Sequence, residues 1–144
     1  MISKVWFITG ASRGLGRIWA EAALTRGDKV AATARTLADV ADLAERFGDA
    51  VLPLALDVTD TDQARQAVQQ ANAHFGRLDV VLNNAGYSLV GTVEEASEAD
   101  VRALFDTNFS ERFECFRLRC PCCGNRAADT SSASQAPLAL SPCL

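Results

Sequence analysis

The chain has 144 residues, enough for one domain with a hydrophobic core and too few for two. It is 49% hydrophobic and 22% charged with a net charge of −4, a globular composition that argues against nucleic acid or an anionic membrane surface as a partner. No apolar run approaches the ~20 residues that span a bilayer. The stretch Met1-Ile2-Ser3-Lys4-Val5 also lacks the make-up of a secretory signal, so a cytoplasmic protein is expected.

The first element is a buried-strand pattern, Val5-Trp6-Phe7-Ile8, followed by a glycine-rich turn and a helical stretch from Leu15 to Arg26 closed by Gly27. Lys29 to Ala34 reads as the second strand. Thr36 can cap a helix whose apolar residues Leu37, Val40, Leu43, Ala44 and Phe47 recur at helical spacing, and Gly48 ends it. The third strand runs from Val51 to Leu56, the third helix from about Asp60 to Phe75, and the fourth strand from Leu78 to Leu82. Ser97, with Asp100 three residues on, starts a further helix in the manner of a capping box.

Strand–helix repeats of this length imply right-handed βαβ units and an α/β fold. The sheet is expected to be doubly wound and parallel, with its first half in the order 3-2-1-4. The fourth strand would then lie at an edge although its sequence is that of an interior strand.

Composition breaks near residue 110. All five cysteines, Cys115, Cys120, Cys122, Cys123 and Cys143, lie beyond it, as do three of the four prolines, whereas both lysines fall within the first thirty residues. Residues 1–110 are therefore read as one unit and 111–144 as a Cys/Pro/Ser-rich tail. Arg, Cys, Pro, Ala and Ser are what G/C-rich codons give in a shifted frame, so the tail is expected to be disordered or out of frame. A zinc site is the competing reading, but the spacing C-x₄-C-x-C-C lacks paired C-x₂-C units. A cytosolic chain makes a disulfide framework unexpected.

The first turn reads Thr9-Gly10-Ala11-Ser12-Arg13-Gly14-Leu15-Gly16. Gly10 lets the chain turn sharply off the strand. Gly14 and Gly16 remove side chains where backbone must approach a pyrophosphate and where helix packs on sheet. The helix start then offers free N–H groups and a positive dipole end to phosphate. The spacing G-x-x-x-G-x-G is not the G-x-G-x-x-G fingerprint. Nor is it a P-loop, because Arg17 follows the last glycine.

This turn resembles the T-G-x-x-x-[AG]-x-G motif of the short-chain dehydrogenases/reductases. Further landmarks fall in family order: Asp57-Val58 after strand three, Asn83-Asn84-Ala85-Gly86 after strand four, and Asn108 in the following helix. The resemblance covers residues 2 to about 109. It implies dinucleotide contacts from Thr9, Gly10, Ser12, Arg13, Gly14, Leu15, Gly16, Arg35, Asp57, Val58, Asn84, Ala85 and Gly86. It also implies a catalytic-set role for Asn108, a small carbonyl or alcohol substrate, and an oligomeric assembly that is doubtful for this fragment.

Charge bears on the choice of cofactor. NAD sites place an acid near the end of strand two, but here the sequence is Ala32-Thr33-Ala34-Arg35. Arg35 and Arg13 can grip a 2′-phosphate, and basic residues at these positions go with NADP(H) in the family. The alternative for both is a solvated surface arginine.

The family's serine, tyrosine and lysine are not found. Tyr87 is the one tyrosine, Gly91 stands four positions on, and no lysine follows Lys29, so a Tyr-x-x-x-Lys pair is excluded by counting. Ser131, Ser132 and Ser134 lack a surrounding strand pattern. A truncated, inactive oxidoreductase or a nucleotide-binding fragment follows as the expectation. His74 is expected at the surface, Trp6 and Trp19 in the core, and Tyr87 in the lining of the cofactor or substrate cleft.

Overall fold

The computed structural model describes residues 3–110. The domain 111–144, its cysteines and the zinc and frameshift readings attached to it lie outside the described residues. Four strands, β1 (Val5–Ile8), β2 (Lys29–Ala34), β3 (Val51–Ala55) and β4 (Val80–Leu82), form one parallel sheet in the order β3-β2-β1-β4. The expected 3-2-1-4 order is therefore observed. The helices are α1 (Gly14–Thr25), α2 (Ala38–Phe47), α3 (Thr61–Phe75) and α4 (Glu98–Phe105), the last running into a π-helical turn, Asp106–Ser110. No helix among the described residues is long and apolar enough to cross a membrane.

Side-chain alternation on the strands divides the core in two. Ile8, Val30, Ala32, Ala34 and Val51 meet α1 and α2 through Ala20, Ala23, Leu24, Val40 and Leu43. Phe7, Ala31 and Leu54 meet α3 through Ala64, Ala67, Val68 and Ala71 on the opposite face. Full burial of Val40 and Leu43 pins α2, each contributing about 1.5–3 kcal/mol. Arg17 crosses from α1 to Asp42 on α2 and also bonds Glu21, which accepts from Arg46 at 2.6 Å.

Buried Asp28 fastens the start of the sheet. Its carboxylate accepts from the Lys4 N–H at 3.0 Å and the Trp6 indole N–H at 2.9 Å, and pairs with Arg26. Burial acts to raise its pKa, but the Lys4, Arg26 and Trp6 bonds outweigh it and hold the carboxyl below its ordinary value.

Several boundaries differ from the sequence reading. Thr36 does not cap α2 with its side chain: Leu37 occupies the cap position, and the carbonyls of Thr36 and Leu37 take the N–H groups of Asp39 and Val40 in a tight first turn. Strand β4 begins at Val80 rather than Leu78, and Asp79 pairs with Val5 through both backbone and carboxylate. Trp19 is 40% exposed rather than core: it lines an open concavity with Trp6 and Leu82 at the β4 edge, where the four-stranded sheet stops. Trp6 is half-buried against the core, and His74 is exposed as expected.

Candidate dinucleotide site at the strand ends

The loops that leave the C-terminal ends of β1, β2, β3 and β4 gather the expected site residues on one side of the sheet. That is where ligands bind in open α/β folds.

The β1–α1 turn is built around Thr9 and Asn84. Thr9 is buried, and its hydroxyl accepts the N–H groups of Asn84 at 2.9 Å and Ala85 at 3.0 Å. The Asn84 carboxamide donates to the carbonyls of Thr9 (3.1 Å) and Gly10 (3.0 Å). A side-chain hydroxyl thus replaces the backbone carbonyl that would continue the β1–β4 ladder, and both strands end there. The turn is tied to β2 as well, through the Ala11 N–H on the Thr33 carbonyl at 2.8 Å.

Gly14 and Gly16 are required for different reasons. Gly14 sits at φ +60° with open space where a side chain would be. Gly16 allows the closest approach: a Cβ there would lie 2.3 Å from the Gly10 carbonyl oxygen and 2.4 Å from Asn84 Nδ2. The helix is thereby drawn onto the turn. Its first turn holds no acid, and the cap residue Arg13, in extended conformation, supplies no side-chain bond. The leading N–H groups of α1, around Gly14, Leu15 and Gly16, have no side-chain partner among the described residues, and the positive end of the helix dipole lies behind them. Ser12 is half-buried in the same turn, and Leu15 is 58% exposed.

Arg13 and Arg35 are both exposed, and neither forms an ion pair among the described residues. Asp57, after β3, accepts the Thr59 hydroxyl at 2.7 Å and the Thr59 N–H at 3.0 Å on one oxygen, Oδ1. Its second oxygen has no bond to a described residue. The Thr59 bonds, first the hydroxyl and then the N–H, hold Asp57 below its ordinary pKa against burial, and the charge of Arg35 adds to them. Gln63 fixes the Asp57 backbone by accepting its N–H at 3.0 Å. Val58 is half-buried against the α3 side of the core.

Asn108 lies on the π-helical turn and is clamped to the backbone of Tyr87. Its Oδ1 accepts the Tyr87 N–H at 3.1 Å, and its Nδ2 donates to the Tyr87 carbonyl at 2.8 Å. Gly86 makes room for this carboxamide, because a Cβ there would stand 2.7 Å from Oδ1. Tyr87 itself is 46% exposed. The sequence reading missed Thr33, Thr59 and Gln63 as supports, since their roles depend on which strand ends become neighbours. Among the described residues, no group of three or more His, Cys, Asp or Glu side chains is placed to hold a metal.

The fit to a dinucleotide therefore rests on chain features alone: an uncapped helix start, an open glycine and, among the described residues, two guanidinium groups without an ion pair and a carboxylate oxygen without a hydrogen bond. Comparison with known proteins agrees. The family model described as short chain dehydrogenase matches residues 4–128. An oxidoreductase of Botryotinia fuckeliana is 50% identical over 108 residues, which is 74% of this chain and 39% of the relative. A 3-ketodihydrosphingosine reductase of Bacteroides thetaiotaomicron is 38% identical over 109 residues, covering 76% of this chain and 38% of the relative. The crystal structure of a short-chain dehydrogenase from Streptomyces avermitilis superposes with a TM-score of 0.81 at 39% identity, over 86% of this chain and 45% of that one. The chain spans less than half the length of these relatives.

Proposed function

This chain belongs to the short-chain dehydrogenase family, and on that premise we propose that residues 1–110 are the NADP(H)-binding portion of an oxidoreductase interconverting a hydroxyl and a carbonyl group. The observation that carries the reading is the pair of exposed, unpaired arginines, Arg13 and Arg35, beside an uncapped helix start. The pyrophosphate is assigned to the N–H groups of the Gly10–Gly16 turn, and the 2′-phosphate to Arg13 and Arg35. The adenine ring is assigned to Asp57 and Val58. The strand-end residues Asn84, Ala85 and Gly86 form the floor on which the cofactor rests. A bound nicotinamide supplies or accepts the hydride. Asn108, clamped to Tyr87, is the one member of the catalytic set assigned here.

A second reading is favoured by a count. The 144 residues hold one tyrosine and no lysine after Lys29, so the proton relay of a Tyr-x-x-x-Lys pair cannot come from this chain. We therefore expect the chain alone to bind cofactor without turnover, since a positioned acid–base group is typically worth ~10²–10⁴-fold. The composition break near residue 110 supports a shifted reading frame. Restoring one or two bases there should reveal Tyr-x-x-x-Lys, and stops in both other frames would refute that origin of the tail.

The cofactor assignment is tested by titrating NADPH and NADH into the purified chain and into Arg35→Asp. The parent should bind NADPH more tightly, and the preference should vanish in the variant. Equal affinity of the parent for the two cofactors would sink it.

A further inference from the structure

We propose that Thr33, Thr9 and Asn83 together hold one buried water molecule beneath the β1–α1 turn. The inference stands on the sheet and does not depend on the dinucleotide reading.

Register brings the three residues together. Ile8 pairs with Ala32 on one side and with Leu82 on the other. One residue further on, Thr9 stands between Thr33 and Asn83. The bonds from Thr9 N–H to the Leu82 carbonyl (3.0 Å) and from Ala11 N–H to the Thr33 carbonyl (2.8 Å) carry the pairing past the strand ends. Alternation then fixes the face. Phe7, Ala31 and Val81 belong to the core on the α3 side, so Thr9, Thr33 and Asn83, two residues beyond each, project from the same face. They form a polar row at about 4.8 Å spacing, the distance between strands, at the end of an apolar sheet face.

This row is short of partners. Thr33 is fully buried, and its hydroxyl oxygen has no hydrogen-bond partner. The amide nitrogen of Asn83 is inaccessible and likewise unpartnered. The Thr9 hydroxyl accepts two N–H groups, but its own hydrogen has no acceptor among the described groups. Native proteins rarely leave buried polar atoms in this state, and internal water is their usual remedy. The chemistry selects water over an ion. All three side chains are neutral, so a buried cation or anion there would have no compensating charge, and the Asn83 amide nitrogen, a donor, also repels a cation. One water can accept from Asn83 Nδ2 and Thr9 Oγ1 and donate to Thr33 Oγ1. Those are the three bonds a buried water typically makes. It would join the ends of β2, β1 and β4, from which the turn and the Asn84-Ala85-Gly86 segment depart.

The test pairs Thr33→Val, which keeps the shape and removes the hydroxyl, with Thr33→Ser, which keeps the hydroxyl. Denaturant unfolding of the 144-residue chain should show the folding equilibrium constant about fivefold lower for Thr33→Val, with most of the loss recovered in Thr33→Ser. A long-lived water should also give a nuclear Overhauser cross-peak to the Thr33 hydroxyl or to the amides of Asn84 and Ala85. A merely unpartnered hydroxyl predicts the reverse sign. Thr33→Val at or above parent stability, or no long-lived water near these groups, would overturn the proposal.

Discussion

Two passages from strand to helix, β1 into α1 and β3 into α3, start from the same parallel sheet and leave the helix start in opposite states. At β3–α3 the chain satisfies itself. Asp60 accepts the N–H groups of Asp62 and Gln63 at 3.0 Å each, and Gln63 reaches back to the Asp57 N–H and donates to Asp60 at 2.8 Å. At β1–α1 the cap residue is Arg13, no side chain among the described residues accepts from the first turn, and that turn holds no acid. The turn is nonetheless held firmly from below by Thr9, Asn84 and Thr33, so its free N–H groups are fixed in direction. A self-satisfied helix start is architecture. A rigid helix start that leaves its donors unmet is a place for an anion.

The comparison breaks most severely at Gly16. Alanine there would drive its Cβ into the Gly10 carbonyl and the Asn84 amide, both backed by buried structure. Gly16→Ala should cost about 3 kcal/mol or more and abolish dinucleotide binding, as read from denaturant unfolding and cofactor titration. Gly14→Ala meets no atom and strains only the left-handed backbone, so about 1–2 kcal/mol is expected, with the rest of the turn in place. Equal losses for the two variants would mean that the packing at Gly16 is not the determinant.

The β3–α3 passage should respond more mildly and mainly in stability. Asp60→Ala should lower the folding equilibrium constant about fivefold, with a far smaller effect on NADPH affinity than Gly16→Ala. Acid should act at the same place. The Gln63 N–H, first among its causes, holds Asp60 below its ordinary pKa, and Thr59 does so for Asp57. A folded-state pKa below the unfolded value of ~3.9 gives stability that is present above that pH and lost as pH falls through the folded value. Hydrogen-bond protection of the Asp62 and Gln63 amides should therefore fall below about pH 4, ahead of that of Ala11, which the Thr33 carbonyl holds in a turn that carries no carboxylate. Simultaneous loss of protection at both turns would show that acid acts globally instead, through Asp28 and Asp79.

The sheet order and three of the strand positions were legible because doubly covered strands are continuous apolar runs and Gly27, Gly48 and Gly76 end the helices. The cap at Ser97 was legible too, since Ser97 and Asp100 satisfy each other locally. Thr36 misled for the converse reason: its residue type suits a cap, but the backbone carbonyls closed that turn first. Trp19 misled because helical spacing does not say which face a sheet of four strands can cover. At the site, glycine spacing announced the turn, but the Thr9–Asn84 lock, the Thr33 anchor and the Asn108–Tyr87 clamp join residues 21 to 76 positions apart or arise only from strand register.

The central claim is that the β1–α1 helix start is open to a phosphate while its β3–α3 counterpart is closed. Amide chemical shifts of the chain during NADPH titration test it in one experiment. Saturable shifts are expected at Arg13, Gly14, Leu15 and Gly16, with much smaller ones at Asp62 and Gln63. No shift in the first group at millimolar NADPH, or equal shifts in both, would contradict it.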